Sequence, residues 1–199
     1  LVAGRGRLVG DRTVAVELAD GGVATYRGEA LILATGSQSK SLPGLDIGGS
    51  VVTSDLALEL DTVPDSVVVL GGGVIGCEFA SVWSSLGGHV TIVEAAPTLL
   101  PTEDPWVSKQ IERAFRKRGM VLKTKTSFTA VSARTGGGVH VELADGSTVD
   151  ADLMLVAVGR GPRTADMGFA EAGVDLDRGF VVTDEWLQTS VPGVFAVGD

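Results

Sequence analysis

The sequence predicts an α/β fold, a parallel sheet with helices plus β-meander segments, and three observations predict it. Val67-Val68-Val69-Leu70 is a short, β-branched apolar run of the kind buried on both faces of a parallel sheet. The turn Gly71-Gly72-Gly73-Val74-Ile75-Gly76 follows at once and opens an amphipathic stretch that reaches Leu86. A second apolar strand, His89 to Val93, ends on Glu94. Strand, glycine turn, helix, strand and acid in that order make one Rossmann-like βαβ unit.

The other elements follow in chain order. Residues 4–36 read as a β-meander, with strands at Leu8-Val9, Val14 to Leu18 and Val23 to Tyr26 and a hairpin turn at Asp20-Gly21-Gly22. Ala30 to Ala34 is an apolar strand that halts at Thr35-Gly36-Ser37. Pro43-Gly44 marks a loop, and Ser54-Asp55 caps a short helix predicted to run through Leu60. In the central unit Ile75, Phe79, Val82, Trp83 and Leu86 recur at helical spacing, the stripe expected to lie on the sheet, and Gly87 and Gly88 stop that helix. Asp104 and Pro105 supply the N-cap and first position of a second helix. It is predicted to bury Val107, Ile111, Ala114 and Phe115 and to end at Gly119. Met120 to Lys123 is a third strand, a second meander spans Phe128 to Val149, and Leu153 to Val158 is an apolar strand stopping at Gly159.

The chain repeats itself. Val14-Ala15-Val16-Glu17-Leu18-Ala19-Asp20-Gly21 returns as Val139-His140-Val141-Glu142-Leu143-Ala144-Asp145-Gly146. Each copy is followed by an apolar strand ending in glycine, Ala34-Thr35-Gly36 and Ala157-Val158-Gly159. Two nucleotide-binding units of one design are the expectation, with convergent hairpins as the alternative. The chain opens at Leu1 and closes on the strand pattern Val194-Phe195-Ala196-Val197 followed by Gly198-Asp199, so it reads as the middle of a larger protein.

Composition narrows the function classes. With 44% hydrophobic and 21% charged residues the chain is globular, and a net charge of -9 argues against nucleic-acid or anionic-membrane surfaces. Arg113, Arg116, Lys117 and Arg118 cluster where a helix ends, which suits its dipole. No apolar run approaches the roughly 20 residues of a membrane span, and one cysteine makes no disulfide framework, so a cytoplasmic setting is the default. His89 and His140 lack a Cys/Asp/Glu ligand pattern, and no metal site is expected.

The glycine turn carries the first chemical reading. Gly71 permits a tight turn, Gly73 lets the backbone approach a pyrophosphate, and Gly76 lets the helix sit close to the strand. The helix then offers unpaired N–H groups and the positive end of its dipole to the phosphates. Glu94, about 20 residues beyond the glycines, stands where this fold sets a carboxylate against the adenosine ribose. It would accept from a free 2′-hydroxyl and repel a 2′-phosphate, and Ala95, Ala96 and Pro97 supply no arginine to reverse that preference. NAD is therefore favoured over NADP, on the expectation that the helix tip at Val74 and the Glu94 carboxylate face one crevice. Another α/β glycine turn with a solvated Glu94 is the bland alternative. Cys77, in the first helical turn, is either a thiol activated by the helix N-terminus or, as the lack of a second cysteine favours, a small packing residue.

The series Ala34-Thr35-Gly36-Ser37, Gly71 to Glu78, Glu94, Val158-Gly159-Arg160 and Val194 to Asp199 resembles the FAD-dependent pyridine nucleotide-disulfide oxidoreductases over nearly the whole chain. The run Gly71 to Phe79, with Ser81-Val82-Trp83 and Leu86-Gly87, is most similar to the dihydrolipoyl dehydrogenases in that family. The resemblance implies an FAD-binding domain over residues 1–55 and again, as a return strand, over 181–199, with an NAD-binding domain at 56–180 between them. It implies FAD contacts at Gly6, Thr35, Gly36, Ser37 and Asp199. On the NAD side it implies contacts at Gly71, Gly72, Gly73, Val74, Ile75, Gly76, Cys77, Glu78, Glu94, Phe128 and Gly159. A core phenylalanine or a solvated helix carboxylate would explain Phe128 or Glu78 equally well. Pro162-Arg163 stands where the family often has Pro-Asn.

In such enzymes a cysteine pair takes two electrons from dihydrolipoamide, FAD relays them to NAD+, and a His–Glu pair manages protons. This chain has no Cys-x₄-Cys and no His-Pro-Thr-x-x-Glu, so the catalytic groups are expected outside it. The expected partners are NAD and, in the complete protein, FAD, lipoyl-bearing acyltransferase domains and a second subunit; the piece alone is expected to be inactive. A mercuric or quinone reductase type of flavoenzyme, or a non-enzymatic dinucleotide module, are the alternatives.

Overall fold

The computed structural model describes residues 1–199. In chain order the first elements are β1 (Arg5–Gly10), β2 (Thr13–Glu17), β3 (Val23–Arg27), β4 (Leu31–Leu33), β5 (Ser37–Ser39), β6 (Val51–Thr53), α1 (Ser54–Ala57) and β7 (Ser66–Leu70). Then come α2 (Val74–Ser85), β8 (His89–Glu94), α3 (Pro105–Lys117), β9 (Val121–Thr124), β10 (Phe128–Ala133), β11 (Val139–Leu143) and β12 (Thr148–Ala151). The last are β13 (Leu153–Val156), β14 (Arg160–Pro162), β15 (Leu176–Asp177), β16 (Phe180–Val181) and β17 (Val194–Ala196). They form two compact units, one of residues 39–160 and one of residues 1–38 with 161–199. The chain thus changes unit at 38/39 and 160/161, earlier than the boundaries at 55 and 180 that the resemblance implies. The reason is pairing: β6 joins the central sheet beside β13, and the segment around Phe169 and Val174 packs with Leu8, Leu33 and Val194.

The central unit is a five-stranded parallel sheet in the order β6-β13-β7-β8-β9. Alternation along β7 divides its core: Val67 and Val69 meet the helical face, Val68 and Leu70 the opposite one. The helical face holds Ile92, Leu99, Phe115, Leu155 and Ala80; the other is covered by Val139, Val141 and Leu143 of the antiparallel meander β10-β11-β12. A sheet buried on both faces explains why β7 and β13 are apolar at nearly every position.

Three helical expectations are corrected. The α2 residues facing the sheet are Gly76, Cys77, Ala80 and Trp83, whereas Val82 and Leu86 are 53% and 59% exposed. Close approach of α2 to β7 selects small side chains on that face, and Phe79 and Trp83 pack against each other with ring centroids 5.2 Å apart. In α3 the buried positions are Ser108 and Phe115; Ala114 is exposed. Ser108 Oγ is satisfied by the Leu100 carbonyl at 3.1 Å, which lets a polar residue take a core position. α1 stops at Ala57 rather than Leu60, and its N-cap is Thr53, with no side-chain capping bond. The Asp104 cap of α3 stands as read, its carboxylate accepting from Trp106 N at 2.7 Å.

In the unit formed by the chain ends, β1-β2-β3 is an antiparallel meander, and β17 pairs in parallel with β4, Val194 opposite Leu31. Leu8, Leu33, Phe169, Val174 and Val194 are its core. The repeat is real in three dimensions. β2 and β11 are each the middle strand of a three-stranded meander, and their turns match bond for bond. Leu18 N donates to Gly22 O (2.8 Å) as Leu143 N does to Ser147 O (2.9 Å), and Asp20 and Asp145 each accept from the N–H two residues on (both 2.9 Å). Gly21 and Gly146 hold φ of +82° and +81°.

Candidate functional site

β7 is the point where the sheet order reverses, with β8 leaving on one side and β13 on the other, and a crevice forms outside the carboxyl ends of such strands. A cleft of about 840 Å³ lies there, walled by Gly71, Gly73, Val74, Glu94, Phe128 and Gly159 among others.

The glycines of the turn have separable jobs. Gly71 has φ +107°, and a Cβ on it would stand 2.4 Å from the Ala157 carbonyl. A Cβ on Gly76 would lie 1.9 Å from the Gly71 carbonyl oxygen and 3.1 Å from Val69, so helix and strand touch there. A Cβ on Gly73 would meet nothing within 4 Å, and its φ of -71° is open to any residue. Its smallness serves no packing inside the chain and leaves room in the cleft. Gly73 is the N-cap of α2, no side chain caps the helix, and no acid occupies its first turn. The positive end of the dipole is therefore offered to the cleft without an acid or cap from the helix itself to offset it.

Glu94 stands at the end of β8. Its two carboxylate oxygens accept from Gly72 N (2.6 Å) and from Ala96 N (2.7 Å). The carboxylate thus splints the glycine turn to the strand end while keeping further lone pairs for a ligand. The tip of α2 and Glu94 share one cleft, as the sequence requires. Phe128 lines the same cleft and also packs on the core beneath the meander, so it is a partly buried core residue with an edge on the cleft. Gly159, with φ +110°, open space around its Cβ position and its carbonyl fixed by Lys40 N at 3.0 Å, closes the far side.

Other residues are brought near but not to the wall. Gly72 and Gly76 are buried behind the turn. Cys77 is buried, its thiol donating to the Gly72 carbonyl at 3.4 Å. Burial first, then the nearby Glu94 and Glu78 charges, push its pKa up to about 11, so it is a packing residue and not an activated thiol. Glu78 lies on the exposed side of α2, outside the cleft.

Sequence reasoning missed the second role of Gly72, where a Cβ would collide with Leu99 at 2.4 Å. The loop after β8 folds back over the turn, Leu100 N donating to Gly72 O at 2.8 Å, and the apolar run Leu99-Leu100-Pro101 inside a loop was the available signal. Thr126, on the cleft wall, gave no signal at all.

In the other unit Thr35, Gly36 and Asp199 line a second cleft of about 340 Å³, and Ser37 Oγ donates to the Asp199 carboxylate. Gly36 has φ +70° with free space about its Cβ position. A carboxylate, a threonine hydroxyl and an open glycine turn fit a hydroxylated stretch of a flavin dinucleotide, and a cleft this size takes part of such a molecule. Gly6 lies elsewhere, mid-strand in β1 opposite Val16.

Residues 2–199 match the family described as pyridine nucleotide-disulphide oxidoreductase. The chain is 42% identical to a dihydrolipoamide dehydrogenase of Chaetomium thermophilum, covering 98% of this chain and 40% of that protein. It is 40% identical to a leghemoglobin reductase of Vigna unguiculata, covering 100% and 39%. Among solved structures, a HOCl-induced flavoprotein disulfide reductase of Escherichia coli superposes with a TM-score of 0.92 at 31% identity, over 98% of this chain and 44% of that one. The chain therefore spans about two-fifths of the length of the curated relatives it matches. By the match along its length and the cleft at the end of β7, the chain belongs to the pyridine nucleotide-disulphide oxidoreductase family.

Proposed function

We propose that this chain is the NAD-binding central portion of a flavin-dependent dihydrolipoyl dehydrogenase, which converts dihydrolipoamide and NAD+ into lipoamide and NADH. The observation that carries the proposal is the convergence of the α2 N-terminus and the Glu94 carboxylate on one cleft. In this reading the N–H groups at Val74 and Ile75 and the free space at Gly73 receive the diphosphate. Glu94 accepts from the 2′- and 3′-hydroxyls of the adenosine ribose and repels a 2′-phosphate, so NAD is used and NADP is not. Phe128 gives the adenine an apolar wall, and Gly159 leaves space for the nicotinamide half.

The unit formed by the chain ends belongs, on the same reading, to the FAD-binding domain, with Thr35, Gly36, Ser37 and Asp199 holding a hydroxylated part of the flavin nucleotide. When bound, FAD supplies the two-electron relay between the dithiol substrate and NAD+. The redox cysteines and the proton-managing His–Glu pair lie outside these 199 residues. Lipoyl-bearing acyltransferase domains and a second subunit are the proposed partners of the complete protein. A cytoplasmic location suits a chain whose one cysteine is buried and unpaired and in which no helix is long and apolar enough to cross a membrane. The test is reduction of NAD+ or NADP+ by dihydrolipoamide, catalysed by the full-length protein. Turnover with NAD+ at least tenfold above that with NADP+ is expected. No turnover with dihydrolipoamide removes the enzyme assignment, and a preference for NADP+ removes the role of Glu94.

A further inference from the structure

We propose that the Thr126 hydroxyl is a further binding group for the adenosine half of the dinucleotide. The inference rests on the NAD reading above and deepens it. Thr126 is 6% exposed, and its Oγ1 is the one buried side-chain polar atom of the chain without a hydrogen-bond partner. Buried hydroxyls are nearly always satisfied, so an orphan calls for a reason. Packing supplies none, because valine has the same shape and would fill the site without an unpaired group. The residue lines the 840 Å³ cleft together with Glu94 and Phe128.

Its position is held from two sides. Thr126 N donates to the Glu94 carbonyl at 3.2 Å, so it sits against the strand end that carries the ribose-facing carboxylate. The preceding Lys125 adopts φ +60°, a left-handed conformation that costs a non-glycine residue energy, and its N–H is tied to the Ala96 carbonyl at 2.9 Å. Backbone strain of this kind gathers at ligand clamps, where the surrounding structure holds it in place. The result is a threonine fixed beside Glu94 with an uncommitted donor and acceptor. Adenosine offers ring-nitrogen acceptors, an amino donor and ribose hydroxyls, any of which completes it; the nicotinamide half lies toward Gly159, on the β13 side of the cleft.

The test is titration calorimetry of the full-length protein with NAD+, ADP-ribose and nicotinamide mononucleotide, for the wild type and for Thr126→Val and Thr126→Ser. Thr126→Val is expected to weaken NAD+ and ADP-ribose binding about five- to tenfold, the worth of one hydrogen bond, and to leave the mononucleotide unchanged. Its melting temperature without ligand stays level or rises, because an unpaired buried hydroxyl has gone. Thr126→Ser keeps the hydroxyl and is expected to bind NAD+ within twofold of wild type. Wild-type affinity in Thr126→Val, equal losses with the mononucleotide, or a serine variant as weak as valine each overturn the proposal. A wild-type protein that binds no NAD+ instead overturns the NAD reading and takes this one with it. Should Thr126→Val fail to fold, Thr126→Ala against Thr126→Ser makes the same comparison.

Discussion

Replacing Glu94 with glutamine separates a splint from a solvated carboxylate. In the structure both oxygens accept from backbone N–H groups, Gly72 at 2.6 Å and Ala96 at 2.7 Å, distances typical of charge-assisted bonds. Glutamine has one acceptor oxygen and one amino group that only donates. Whichever way the amide turns, one N–H faces another donor, and the bond that survives loses its charge. Loss of a hydrogen bond to a charged group costs about 1.5–3 kcal/mol. At about 2–4 °C per kcal/mol for a chain of this size, the melting temperature should fall by roughly 3–12 °C.

The assay is differential scanning calorimetry without nucleotide, so that ligand binding does not enter. A carboxylate merely solvated at a strand end predicts a change within about 0.5 kcal/mol, below roughly 2 °C. A shift that small would refute the splint. With NAD+ added, the variant should also lose affinity, because the turn that presents the α2 N-terminus is no longer tied to the strand beside it. Glu94→Asp keeps the charge but is one methylene short; it should still lose at least one of the two bonds and melt below wild type.

Two further outcomes follow from the same turn. Gly73→Ala and Gly76→Ala should part company: the first leaves the melting temperature within about 2 °C but weakens NAD+ at least tenfold, because its Cβ projects into open cleft. The second places a Cβ 1.9 Å from a backbone oxygen and should cost about 1–3 kcal/mol, read as a lowered denaturation midpoint whatever the ligand. Cys77, with its pKa pushed up to about 11, should react with a disulfide reagent at pH 8 about a hundredfold more slowly than a free cysteine. Because the folded-state pKa exceeds the unfolded one, Cys77 favours the folded state below about pH 9, and that contribution is lost as pH climbs toward about 11. A denaturation series over that range should show the slope in wild type and lose it in Cys77→Ala.

The central βαβ unit was legible because each of its parts obeys one local rule. Val67 to Leu70 must be buried on both sides, Gly71 must turn with positive φ, and Glu94 must stand at the next strand's end; no distant partner changes any of these. The α2 stripe was read rightly at Ile75, Phe79 and Trp83, which pack on the core, and wrongly at two positions for the opposite reason. Val82 and Leu86 have the right spacing for a core face, but the facing surface was already chosen by Gly76, whose contact with Gly71 turns Cys77 and Ala80 toward the sheet. Amphipathic spacing ranks side chains by hydrophobicity, whereas close approach ranks them by size. β6 escaped notice because Val51-Val52-Thr53 is only three residues long and becomes a strand through its partner β13, about 100 residues later in the chain.

The site residues divide along the same line. Those whose place on the cleft could be read from the sequence, Gly71, Gly73 and Glu94, depend on backbone geometry or on a charge at a fixed register. Those missed, Gly72 against Leu99 and Thr126 against Glu94, depend on a loop that crosses from one strand end to another. The repeated meander sharpens the point. Two copies of one eight-residue pattern fold alike, yet only the second follows a glycine-rich turn within this chain, and its cleft is more than twice the volume of the one beside Gly36 and Asp199. The meander itself therefore sets no ligand. It covers one face of a sheet, and the recognition proposed above rests on the turn at the carboxyl end of β7, where glycine space, helix N–H groups and one splinted carboxylate meet.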